Sequence, residues 1–100
     1  MILAALLMTI QPPGMTDEAW ETLRARIESA PQAVATFIER RTTCNDIHRD
    51  PHRDPALAAR LRTQYQCDRV ATDGRALYRA YRARPQILRL LRETETLRGW

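Results

Sequence analysis

Apolar positions recur at helical spacing through most of the chain. Thr16 is placed to cap a helix whose first turn is Asp17-Glu18, and Trp20, Leu23 and Ile27 then repeat at i, i+3, i+7. Ser29-Ala30-Pro31 ends that element and opens a second, in which Val34, Phe37 and Ile38 form the stripe and Cys44 falls one heptad past Phe37. The polar stretch 45–54 reads as a loop. Asp54-Pro55 starts a third helix, an N-cap followed by proline at the first position, with Leu57, Leu61 and Tyr65 on one face. Cys67, Val70, Leu77 and Tyr81 continue an apolar stripe across Thr72-Asp73-Gly74, where a bend or break is expected. Arg84-Pro85 marks the last boundary, and Ile87, Leu88 and Leu91 pattern a final helix ending near Gly99. No strand-period run competes with these. The expected fold is all-α, a small bundle of four to five helices with one disulfide. Its expected core comprises Trp20, Leu23, Ile27, Val34, Phe37, Ile38, Leu61, Leu77, Tyr81, Ile87, Leu88 and Leu91.

Composition narrows this picture. The 100 residues are 44% hydrophobic, enough for a core, but only 6% aromatic, so that core is mostly aliphatic, as helices favour. Residues 14–100 are expected to form a single helical domain, a size at which a covalent staple contributes noticeably to stability. Residues 1–13 stand apart. An apolar run over 2–8 is followed by the break Gln11-Pro12-Pro13-Gly14, which suits a degenerate signal segment. Two other readings of 1–13 are an apolar arm that packs on the helices and a start at Met15. The run is too short to span a bilayer.

The two cysteines, Cys44 and Cys67, invite two readings. In an exported small domain an even count implies a structural disulfide. Geometry permits it: Pro55 to Cys67 covers about 18 Å of helix, and a ten-residue loop can reach back about 33 Å. Closing the loop between them would stabilise by roughly 3.4 kcal/mol in the chain-entropy model. The rival is a zinc site made of Cys44, His48, His52 and Cys67. Pro51 interrupts the helix that would align the first three, and the spacing matches none of the usual finger patterns. We expect the disulfide, with no metal and no cofactor. No catalytic residue is expected either: no paired-carboxylate, nucleophile-elbow or phosphate-loop motif is present, and neither cysteine has a marked thiolate-stabilising setting.

All 16 basic residues are arginines, and they are unevenly placed. Residues 1–50 hold five arginines against seven acids, whereas residues 60–100 hold ten against four. Arg75, Arg79 and Arg82 follow i, i+4, i+7 spacing and form a candidate binding ridge. The simplest expectation is that Glu18, Glu21, Glu28 and Glu39 of the first two helices partly neutralise it. The functional expectation is an anion-attracting surface for a protein partner. Tyr78 and Tyr81 interleave with the ridge, as base stacking on nucleic acid would require, but they also fit the core stripe.

The segment Phe37-Ile38-Glu39-Arg40-Arg41-Thr42-Thr43-Cys44-Asn45, with Arg60-Leu61, Cys67-Asp68 and Leu77-Tyr78-Arg79-Ala80-Tyr81, resembles a group of small proteobacterial helical proteins carrying an "ERR…CN" segment and a second cysteine on a later helix. The Cys67…Leu77…Tyr81 portion is also similar to the cysteine-bridged helical domains of periplasmic lysozyme inhibitors. It departs from them in the Asp73-to-Leu77 spacing, one residue longer, and in having a single cysteine pair. The resemblance implies a periplasmic helical domain, and the expected function is that of a periplasmic or secreted, non-catalytic protein that binds another protein as an inhibitor or adaptor would. Two alternatives carry different demands: a cytoplasmic basic module that binds nucleic acid or an acidic partner, and a thiol- or metal-dependent enzyme using Cys44, His48 and His52.

Overall fold

The computed structural model describes residues 14–50 and 53–98. The apolar segment 1–13, with the signal reading placed on it, lies outside the described residues, as do His52 and Gly99. Five α-helices and one short 3₁₀ turn make up the described chain, and no strand occurs among these residues. They are α1 (Asp17–Ser29), α2 (Gln32–Arg49), α3 (Pro55–Gln64), the 3₁₀ turn (Cys67–Arg69), α4 (Val70–Ala80) and α5 (Pro85–Glu93). The all-α, one-disulfide bundle expected from the sequence is what forms.

Local chemistry sets most starts. The Thr16 hydroxyl accepts a 3.1 Å hydrogen bond from the Ala19 N–H, and Asp17 and Glu18 sit at the positive end of the dipole. Asp54 caps α3 by accepting from the Leu57 N–H at 3.0 Å, and Pro55 fills the first helical position. Proline likewise opens α5.

α2 is the axle. Each of the other four helices and the 3₁₀ turn touches it, so it buries residues around much of its circumference: Val34, Ala35, Phe37, Ile38, Arg41, Thr42, Cys44 and Ile47. Trp20, Leu23 and Ile27 of α1 and Ile87, Leu90 and Leu91 of α5 complete one core, which Leu97 joins from beyond α5. α4 enters it through a glycine. A Cβ at Gly74 would stand 3.1 Å from the Phe37 Cζ, so the absence of a side chain lets the ring lie against the helix backbone.

Four sequence expectations need correction. The stretch 45–54 is not all loop: α2 runs on to Arg49 and buries Ile47. It stops there because Pro51 disfavours helical backbone at the preceding residue, and Asp50 is extended (φ −90°, ψ 102°). The break expected at Thr72-Asp73-Gly74 falls at Gln66 instead, and Gly74 is an interior packing position of α4. The last helix ends at Glu93, where the buried Thr94 hydroxyl donates back to the Leu90 carbonyl at 2.7 Å. Finally, Leu61, Leu77, Tyr81 and Leu88 are only partly buried, while Leu90 and Leu97 are buried in their place.

Candidate functional site

Cys44 and Cys67 are bonded to one another, with Cα atoms 5.6 Å apart across 23 positions of sequence. The approach depends on the turn after α3. Gln66 adopts the left-handed conformation (φ 50°, ψ 50°), the position where a helix commonly ends on glycine. That reversal starts the 3₁₀ turn and presents Cys67 to the flank of α2. A glutamine there carries a backbone cost that glycine would avoid.

A groove of about 900 Å³ opens beside the bridge, between α2 and α3. Asn45, His48 and Arg49 line it from α2, and Arg62 and Thr63 from α3. Gln66, Asp68 and Arg69 close the end next to Cys67. Arg49 and Arg62 lie in the last turns of their helices, where positive charge complements the dipole. With both sulfurs in the bridge, neither is available as a metal ligand or nucleophile in the oxidised chain. No group of three His, Cys, Asp or Glu side chains able to hold a metal occurs among the described residues.

The candidate ridge is exposed at all three positions. Arg75 and Arg79 share one face of α4, and Arg82 lies in the turn just beyond its end. No carboxylate pairs with any of the three among the described residues. The expected neutralisation by acids of the first two helices therefore fails. Glu21 and Glu28 are held by Arg24 on their own helix, at 2.8 and 3.0 Å. The ion pairs that do cross between halves run the other way: Arg26 meets Glu93 at 2.6 Å and Arg40 meets Asp73 at 2.7 Å, taking acids from the basic half. Of the 16 arginines, Arg24, Arg26, Arg40, Arg53 and Arg69 pair with carboxylates and Arg41 is buried; the other ten have no carboxylate partner among the described residues. Tyr78 and Tyr81 pack against the core beneath the ridge.

Arg41 is the residue that sequence reasoning missed. It is buried, and its Nη2 donates to the Leu91 carbonyl at 2.6 Å and to the Thr94 hydroxyl at 2.9 Å. It thereby satisfies a C-terminal carbonyl of α5 and places a positive charge at the negative end of that helix. Its guanidinium carbon also lies 5.0 Å from the centre of the Phe37 ring. Burial pulls the guanidinium below its ordinary pKa, opposed by nearby Tyr78 and Glu95. One turn on, the Asn45 amide donates to the Glu95 and Leu97 carbonyls at 3.1 and 2.8 Å. Arg40, Arg41, Cys44 and Asn45 thus fasten α2 to α4, to α5, to the 3₁₀ turn and to the segment after α5. The signal was present, since Arg41 sits one heptad after Val34 on the apolar stripe.

No protein-family model, no curated protein and no solved structure matches the chain.

Proposed function

We propose that the chain is a non-catalytic, disulfide-stapled helical module of the bacterial envelope that binds another protein through the Arg75–Arg79–Arg82 face. The observation that carries this reading is three exposed guanidinium groups, on α4 and the turn after it, that no carboxylate of the described chain neutralises. Guanidinium forks match carboxylates bidentately, and such surfaces chiefly steer association. The bridge fits an oxidising compartment. No described helix is long and apolar enough to cross a membrane. Tyr78 and Tyr81, which nucleic acid would need as a stacking platform, pack inward, and this favours a protein over a nucleic acid.

The test joins two measurements. The amino terminus of the protein recovered from its native cell should begin near Met15, after removal of the apolar segment. Photo-crosslinking from Ala76 or Ala83 in such cells should yield a defined protein adduct that Arg75→Gln/Arg79→Gln/Arg82→Gln abolishes. An intact Met1, together with binding of generic duplex DNA at micromolar concentration in physiological salt, would overturn the reading.

A further inference from the structure

The groove beside the disulfide is a second charged surface, independent of the ridge. It is lined by three arginines, Arg49, Arg62 and Arg69, and by His48, against one acid, Asp68. Neither Arg49 nor Arg62 has a carboxylate partner among the described residues. Arg69 touches Asp73 only at 3.8 Å and keeps 59% of its side chain exposed. Three guanidinium groups gathered on one concavity concentrate a positive field that an evenly solvated surface would spread out. The walls are also fixed in advance, because the Cys44–Cys67 bond joins α2 to the turn that follows α3. A prefixed groove loses little entropy when it is filled.

We propose that this groove binds an acidic peptide segment of a partner protein, its carboxylates held by Arg49, Arg62 and Arg69. The polar groups between them suit a peptide: Asn45, Thr63 and Gln66 can meet main-chain donors and acceptors. Its volume of about 900 Å³ accommodates several residues. Nucleic acid is the weaker occupant. No Phe, Tyr or Trp side chain lines the groove among the described residues, so a base would have only the His48 ring and the guanidinium planes to stack on. This site goes beyond the ridge reading and does not depend on it.

The probe is acetyl-hexaglutamate amide, titrated into the oxidised protein at about 50 mM and about 150 mM salt and followed by amide shifts and calorimetry. Shifts should cluster at residues 44–49 and 59–70. Arg49→Gln/Arg62→Gln should weaken binding about tenfold or more, because charge-assisted hydrogen bonds from guanidinium to carboxylate are the strong ones. Arg75→Gln/Arg79→Gln/Arg82→Gln should weaken it less than about threefold at the higher salt, where distant charges are screened. Both sets of side chains are exposed, and an intact-mass check of the bridge with a far-UV spectrum confirms that each variant has folded. Parallel titrations with hexathymidylate and with inorganic pyrophosphate separate the sources of anionic charge. The proposal is overturned by any of four outcomes: no peptide binding at the lower salt, shifts centred on 75–82, equal weakening in the two variants, or tighter binding of hexathymidylate or pyrophosphate at the same residues. The last would assign the groove to phosphate. Loss of the crosslinked partner in the ridge variant is read separately, so one proposal can fail while the other stands.

Discussion

The two sides of α2 are held by different means. On one side α1 and α5 press Trp20, Leu23, Ile27, Ile87, Leu90 and Leu91 onto Val34, Phe37 and Ile38, and all nine side chains are buried. On the other, α3 buries only Ala58, leaves Leu57 37% exposed, and is tied back through the turn by the Cys44–Cys67 bond. The first side is stabilised by apolar area removed from water. The second has little such area, and constraint of the unfolded chain takes its place. The contrast explains where the candidate groove lies. A region that need not be apolar to stay folded is free to carry arginines, and the stapled side has them.

The comparison breaks most severely at Phe37. Its ring is buried, lies on the Gly74 backbone and faces the guanidinium groups of Arg40 and Arg41 at 5.7 and 5.0 Å. Phe37→Ala should cost about 3–5 kcal/mol in urea unfolding, with protection from hydrogen exchange lowered in α1, α2, α4 and α5 alike. A loss under about 1 kcal/mol would mean that the ring is not the hub of the packed side.

Removing the staple should act elsewhere. Cys44→Ala/Cys67→Ala is expected to lower stability by roughly 2–4 kcal/mol. Hydrogen exchange should quicken first in residues 53–69, while Ile27, Ile38 and Leu91 keep their protection until global unfolding. Uniform loss across all helices would show that the two sides form one cooperative unit, with no division between a packed and a stapled side.

A smaller change sharpens the same division. Gln66 holds a left-handed backbone that glycine adopts without strain. Gln66→Gly should raise the stability of the oxidised protein by up to about 1 kcal/mol, since relief of strain outweighs the added freedom of the unfolded chain. In the doubly substituted, bridge-free protein the gain should shrink, because α3 and its turn are then free to leave the strained geometry. An unchanged gain would show that the turn is held by packing and not by the bond.

These elements also mark what the sequence makes legible. Thr16, Asp54-Pro55 and Arg84-Pro85 act through bonds within one turn, so their starts are readable in order along the chain. The cysteine pair was readable for a similar reason, since two thiols in a small chain have few uses. Arg41 was not. Its partners, Leu91 and Thr94, lie 50 and 53 positions away, and only packing brings them to a site that periodicity reserves for an apolar residue. Gly74 misleads in the same way: within its own helix it looks like a breaker, and its role appears only when Phe37 is laid upon it. The charge pattern was visible by count but not by pairing. Arg24 takes up Glu21 and Glu28 at i−3 and i+4, a local preference that removes those acids from the ridge.

The smallest expected effect tests the packed side by pH. Glu39 is partly buried on α2 and makes no hydrogen bond or ion pair among the described residues, and burial raises its pKa above the ordinary value. The folded chain therefore binds the Glu39 proton more tightly than the unfolded chain does. Stability from this group is fully present below the unfolded pKa, near 4.5, and is lost as pH rises through the folded value. At neutral pH the ionised carboxylate is thus a net cost, modest because part of the side chain still meets water. Glu39→Gln should raise stability at pH 7 by less than about 1 kcal/mol. The gain should fade as pH is lowered toward 4, where the native carboxyl is itself neutral. Paired urea titrations of the two proteins at pH 4 and pH 7 measure the difference. A gain that is equal at both pH values would point to helix propensity or packing as its source, and a loss at pH 7 would mean that the carboxylate is stabilised where it sits.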